Sequence, residues 1–261
     1  MAGLATSGSN PDVSLLYDIN HLARATPGWL DRAVALLADY GLPLGLLVLV
    51  VLCWWTERRR AGSTDAAVVS AAAVVWAPLA AAVAVLVNMP IRDFVRRPRP
   101  AVDHEGVEEL VPGHGFSFVS DHATLAMAVA AGLFVASRRF GLTGLGIAVA
   151  EGFCRVFLGV QYPTDVVGGF ALGTAVALLL SPLATVALTP LVRAVARTGR
   201  AGWLVVPPHL RGGRDGRSLR LQSTPERPDR LARDSAAGTH GQPEPGGRTD
   251  SEDPREPDLA A

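Results

Sequence analysis

The hydrophobic positions of this chain run together instead of alternating: Ala66 to Val87 is 22 residues without a charge, and Val166 to Val192 is 27. As helices rising about 1.5 Å per residue these runs span ~33 and ~40 Å, enough to cross a hydrocarbon core of about 30 Å. A soluble domain almost never carries such runs, so the pattern predicts an integral membrane protein. A first span is expected from about Trp29 to Trp55, amphipathic at first with Asp31, Arg32 and Asp39, then uncharged from Leu42 to its stop at Glu57 and Arg58. A second runs from about Asp65 to Val95 with a kink expected at Pro78, a third from Ser120 to Ser137, a fourth from Gly141 to Leu158 and a fifth from Asp165 to Ala196. Residues 12–24, DVSLLYDINHLAR, mix apolar and polar positions at helical spacing. They predict a short amphipathic helix at the interface, and packing into the core accounts for them equally well. The expected fold class is an all-α integral membrane bundle of about five transmembrane helices plus an N-terminal amphipathic helix.

Composition agrees and narrows the partners. Of 261 residues 49% are hydrophobic, 18% charged and 6% aromatic, and the formal net charge is zero, which gives no whole-chain attraction to nucleic acid. The first ten residues carry neither a positive charge nor an apolar core and do not read as a cleavable signal, so the mature chain is expected to start near Met1. Cys53 and Cys154 are expected near opposite faces of the bilayer, which argues against a disulfide. From Pro207 onward the chain has no Phe, Trp, Tyr, Ile, Val or Met and is rich in Pro, Gly, Arg and acidic residues. The expected organisation is a disordered N-terminus at 1–11, a membrane-embedded domain at 12–200 and a disordered, solvated tail at 201–261. Arg211, Arg214, Arg217 and Arg220 at the start of that tail also suit anionic lipid headgroups.

Charge sets the orientation. Arg58 to Arg60, Arg138 with Arg139, and Arg193 with Arg197 and Arg200 fall on one side if the spans alternate, and positive juxtamembrane charge marks the cytoplasmic side. The expected location is therefore the cell membrane, multi-pass, with the tail cytoplasmic and the loop from Ala101 to Val119 outside. Arg92, Arg96, Arg97 and Arg99 then crowd the outer face against the sorting rule, which suggests an anion that needs them.

Three outer segments hold almost every unusual polar residue: Arg92 to Pro100, Gly115 to Ala123, and Cys154 to Asp165. Guanidinium groups bind phosphate oxygens in pairs and stay protonated in a partly dry site. Arg92, Arg99 and Arg155 converging would suit a phosphate, Ser120 and Asp121 open a helix whose free amides favour an anion, and His122 could protonate a leaving oxygen. Taken singly these features have plainer explanations, since arginines anchor helices at membrane faces and a histidine at a helix start caps it or sits on the surface. His104 and His114, in a loop with Asp103, Glu105, Glu108 and Glu109, lack tight metal-ligand spacing and read as a solvated acidic loop. Glu151 lies within a span four residues before Arg155, on the same helical face, and an ion pair between them is expected.

The three segments together resemble the signature of the type 2 phosphatidic acid phosphatase superfamily, which includes bacterial undecaprenyl pyrophosphate phosphatases. That signature is Lys with Arg-Pro seven residues on; Pro-Ser-Gly-His, in which Asp can replace Gly; and Ser-Arg, five residues, His, three residues, Asp. Here Arg92 stands for the Lys, a swap that fits a chain with 24 Lys plus Arg, all of them Arg. The resemblance makes Arg92, Arg99 and Arg155 phosphate-binding, with Ser120 and Asp121 beside them, His122 the acid for the leaving group, and Asp165 the carboxylate that orients a nucleophilic histidine. Val119 replaces the family's Pro and Cys154 its Ser. The resemblance implies a six-helix membrane architecture over about residues 12–197, lipid phosphate or polyprenyl pyrophosphate as ligand, no metal and no cofactor.

The nucleophile position is occupied by Gln161. The family's histidine attacks phosphorus and the phosphohistidine is then hydrolysed, whereas an amide nitrogen has its lone pair delocalised into the carbonyl. Gln161 is expected to donate its amide to Asp165 and to a phosphate oxygen instead. Two functions follow: a membrane phosphatase acting on lipid phosphates or polyprenyl pyrophosphates at the outer leaflet, or a non-catalytic protein that binds them. A transporter or channel has less support, because the polar residues cluster at one face and mark no through-going path. Nothing in the sequence points to a protein partner.

Overall fold

The computed structural model describes residues 10–104, 106–107, 109–110, 115–198 and 200–211. These fall in one compact unit, Met1–Arg214, while the second unit, Asp215–Ala261, lies outside the described residues, as do Glu105, Glu108, His114, the first nine residues and the distal tail. The described residues are helical and contain no strand.

Asn10 caps α1 (Pro11–Arg24) by accepting from the Asp12 amide at 3.2 Å. The first span is one rod, Gly28–Arg60, built of α2 (Gly28–Leu36), a π-helical turn (Leu37–Gly41) and α3 (Leu42–Arg60). Ser63 caps α4 (Thr64–Val95), which runs unbroken through Pro78 and Pro90. A four-residue helix, α5 (Pro100–Asp103), follows; then come α6 (Asp121–Ala136), α7 (Arg138–Phe157), α8 (Pro163–Leu179) and α9 (Ser181–Arg197).

Among the described residues three stretches are long and apolar enough to cross a membrane: Gly28–Arg60, Thr64–Asp103 and Arg138–Phe157. The expected single fifth span is instead a pair, α8 and α9, bent by 53° where Leu180 breaks the helix ahead of Pro182. The third expected span is α6, an apolar helix of 16 residues. The fourth starts earlier than expected, since Arg138 and Arg139 are its first helical turn and not part of a loop. Packing also continues past residue 200. The chain adds α10 (Gly202–Val205), against α9, and α11 (Pro208–Arg211), two short helices after residue 200.

The centre of the bundle is α6, packed against α4, α7 and α8. Small residues allow the close approach: a Cβ added at Gly173 would meet Thr124 O at 2.4 Å, and one at Gly132 would meet Ala77 Cα at 2.6 Å. Trp76 ties α4 to α8 through a 2.9 Å bond from its indole to Ala177 O. Outside this core the helices expose Leu44, Leu47, Leu86, Val167 and Leu179, an apolar surface suited to lipid and not to water. Cys53 and Cys154 are both free and buried.

Candidate functional site

Three segments far apart in sequence meet at one end of the bundle. Arg96, left-handed at φ 49°, ends α4 with its amide bonded to Arg92 O, and Pro98 prevents the helix from resuming. The close α6–α8 packing brings the start of α8 to the start of α6, where the Ser120 amide donates to Asp165 O at 3.2 Å. The loop from α7 into α8 completes the cluster, since Arg99 Nη1 donates to Val160 O at 3.0 Å.

Each expected residue now has a location. Arg92 ion-pairs with Asp121, whose other oxygen accepts from the buried Asn88 Nδ2 at 2.6 Å. Ser120 is buried and caps α6, accepting from the Ala123 amide. Arg99 also donates to Gly115 O at 3.1 Å and lies within electrostatic reach of Arg92, Arg155, Glu109 and Asp121. Arg155 is buried between two carboxylates: its Nε is 2.8 Å from Glu151 Oε1, the pair expected from spacing, and its Nη2 is 3.0 Å from Asp39 Oδ1. Asp39 belongs to the π-helical turn, a distortion that recurs at functional sites. His122 is exposed and makes no hydrogen bond among the described residues, while Arg155, Arg99, Asp39 and Asp121 are all within electrostatic reach.

The relation between Gln161 and Asp165 differs from expectation. Gln161 makes no hydrogen bond to Asp165, and its buried carbonyl oxygen has no partner among the described residues. Asp165, fully buried, is held instead by Arg97: Nη1 is 2.8 Å from Oδ1, while Oδ2 accepts from the Ser117 hydroxyl and, at 3.3 Å, from the Tyr162 amide. A carboxylate so far from water is stable only when paired, and a guanidinium pairs it better than an amide.

Arg97 is the hub that sequence reasoning did not single out. Its Nη1 also donates to Thr164 Oγ1 at 2.8 Å, its Nη2 to Asp12 Oδ2 at 2.7 Å, and its guanidinium lies 3.6 Å from the centre of the Tyr162 ring. Asp12 in turn accepts from the Thr164 amide at 2.9 Å and hydroxyl at 2.6 Å, which fastens α1 across the site. Burial alone would raise the Asp12 carboxyl, but the bonds from Thr164 and Arg97 outweigh it and hold the group below its usual range. Burial, and then the neighbouring Asp103 carboxylate, pushes the Tyr162 phenol up to about 12. Asp12, Asp39, Asn88 and Ser117 were also missed as site residues. For Asp12 and Asn88 the available signal was a polar group near the end of a helix, whereas Asp39 sits in the π-helical turn inside the first rod and Ser117 in the non-helical stretch before α6. His104 packs edge-on against the rings of Tyr17 and Tyr162, and no group of three metal-ligating side chains occurs among the described residues.

Residues 73–187, which contain all three segments, match the family model of the PAP2 superfamily. The chain carries a PAP2 superfamily domain. It is 30% identical over 125 residues to the undecaprenyl-diphosphatase BcrC of Bacillus subtilis (strain 168), covering 48% of this chain and 64% of that relative. It is 30% identical over 108 residues to the bacitracin transport permease protein BcrC of Bacillus licheniformis, covering 41% and 53%. The chain thus spans less than two thirds of the length of either relative. The crystal structure of a transmembrane PAP2 type phosphatidylglycerolphosphate phosphatase from Bacillus subtilis is 25% identical with a TM-score of 0.48, covering 67% of this chain and 87% of that one. Gln161 lies inside the matched region.

Proposed function

We propose that this PAP2 domain holds the phosphate end of a lipid phosphate or polyprenyl pyrophosphate, presented at the outer leaflet, without cleaving it through a phosphohistidine. Arg92, Arg99 and Arg155 bind the phosphate oxygens, helped by Ser120 and Asp121 at the amide-rich start of α6, and surrounding membrane lipid delivers the apolar tail. The likeness to undecaprenyl-diphosphatases supports a polyprenyl pyrophosphate as ligand. One observation carries the reading. Position 161 holds a buried amide with no hydrogen bond to Asp165, and Asp165 is engaged by Arg97. An amide nitrogen has no free lone pair with which to attack phosphorus.

A second reading, hydrolysis of the same lipids, draws on His122. It is exposed, free of hydrogen bonds among the described residues and within reach of Arg99 and Arg155, where it can protonate a leaving oxygen. Phosphate release by the purified chain in detergent, with several lipid phosphates and chelator present, separates the two. The binding reading expects retention of the lipid and no release above a double variant with Arg155→Ala and His122→Ala. Release above that control makes the protein an enzyme whose nucleophile is not residue 161.

A further inference from the structure

At the other end of α4, ~42 Å along the helix from Arg92 to Thr64, a second basic site faces the opposite side of the bundle. A cavity of about 350 Å³ opens between the start of α4, the end of α9 and the two short helices that follow, lined by Arg193, Arg197, Arg211, Thr64 and Thr198. Among the described residues of its lining Asp65 is the one acidic group, and it pairs with Arg193 at 3.3 Å. Arg197 makes no hydrogen bond or ion pair among the described residues, and Arg211 donates only to Val206 O at 3.1 Å. Arg58, in electrostatic reach of Arg211 and Arg59, has a buried Nε with no acceptor. Three arginines thus line one cavity against one carboxylate among its described lining residues, an excess of positive charge that an entering anion would offset.

We propose that this cavity is a binding site for the phosphodiester headgroup of an anionic phospholipid. The amide end of α4 adds its positive dipole to the arginines, and the Thr64 hydroxyl supplies a neutral donor. The chemistry beside the cavity selects a membrane lipid over a soluble anion. A neighbouring cavity of about 520 Å³ is lined by Trp54 and Trp55, whose rings carry Arg58 and Arg59 at 5.5 and 4.5 Å. Trp203 of α10 is half exposed nearby in the chain, and aromatic rings interleaved with arginine mark the depth of lipid headgroups. The site uses none of the residues around Asp165.

Native mass spectrometry of the full chain, titrated with phosphatidylglycerol or phosphatidylcholine, tests it. At about fivefold for each arginine lost, the double variant Arg197→Gln with Arg211→Gln should bind phosphatidylglycerol about 25-fold more weakly than wild type, with phosphatidylcholine unaffected. Arg99→Ala should leave this preference intact, which separates the site from the one at the other face. Three outcomes overturn the proposal. Equal retention by wild type and the double variant removes the site, and displacement of the lipid by millimolar inorganic phosphate makes it a site for soluble anions. Selectivity that emerges only when the acidic residues after Asp250 are neutralised makes the chain's own tail the occupant. Unchanged thermal midpoints for the variants ensure that a loss reflects binding.

Discussion

Asp165 belongs to Arg97: its Oδ1 lies 2.8 Å from Nη1, while Gln161, one turn of chain away, makes no hydrogen bond to it. The same guanidinium reaches Asp12 at 2.7 Å, so a single side chain bridges a carboxylate at the root of α8 and another on α1. The Arg97→Gln variant should therefore lose about 3 kcal/mol of stability, because it strands Asp165 in a site without water. Arg97→Lys should recover little, since a point charge cannot serve two carboxylates and a ring face at once. Thermal unfolding in detergent measures both. A midpoint within a degree of wild type for the Gln variant would mean that Ser117 and Tyr162 suffice for Asp165.

The Asp12 bond has a pH signature. Its folded carboxyl is held below the ordinary value of 3.8, so its contribution is fully present above that value and is lost as pH falls through the lowered folded value. Asp12→Asn removes the contribution at neutral pH, at a cost of about 2 kcal/mol. The stability gap between wild type and this variant should accordingly be wide at pH 7 and close below about pH 4. A gap that stays constant down to pH 3 would assign the loss to packing of α1 and not to its charge.

Much of this architecture was legible in the sequence, because a long uncharged run has few options other than a span. The Glu151 and Arg155 pair was legible as well, since four residues on a helix fix their adjacency. What escaped were relations between elements. Nothing local ties Asp12 to Arg97 or Asp39 to Arg155, and the break at Leu180 ahead of Pro182 interrupts a run whose apolar pattern alone reads as one continuous span. Gln161 was visible where the resemblance implies a histidine, but its lack of a bond to Asp165 goes with an arginine that holds Asp165 from 68 positions earlier in the chain.

Ligand affinity should rest on Arg92, Arg99 and Arg155 whether or not turnover occurs. Loss of one charge-assisted bond to phosphate costs about 1.5 to 3 kcal/mol, so each Ala variant should weaken binding of a polyprenyl pyrophosphate by roughly ten- to a hundredfold. Arg155→Ala also strands Glu151, 2% exposed, so a stability measurement must accompany its binding curve. Unchanged affinity in all three folded variants would remove the phosphate site.

The sidedness expected from the arginine clusters can be tested with single cysteines, because Cys53 and Cys154 are buried and contribute little background. Val102→Cys, at a position 79% exposed, should react with an impermeant reagent in intact cells, whereas Arg200→Cys should react only after lysis. Equal labelling of both in intact cells would reverse or abolish the assignment.

The sharpest test returns to position 161. Oδ2 of Asp165 already accepts twice, from Ser117 and from the Tyr162 amide, but Oδ1 accepts only from Arg97 and retains one acceptor place. An imidazole introduced by Gln161→His can donate its Nδ1 proton there and direct Nε2 toward a phosphate held by Arg99 and Arg155, with His122 supplying the proton for the leaving oxygen. Gln161→His should thus gain metal-independent lipid phosphatase activity and a transient acid-labile phosphoenzyme, both absent from wild type. Adding Asp165→Asn should abolish the gain, since the amide no longer fixes the imidazole tautomer, provided the double variant still folds and binds ligand. A single variant that binds normally yet stays inactive would mean that Arg97 holds Asp165 out of reach of residue 161. Activity in the double variant equal to that in the single one would mean that the imidazole works without its carboxylate, and Asp165 would then be a structural anchor for Arg97 alone.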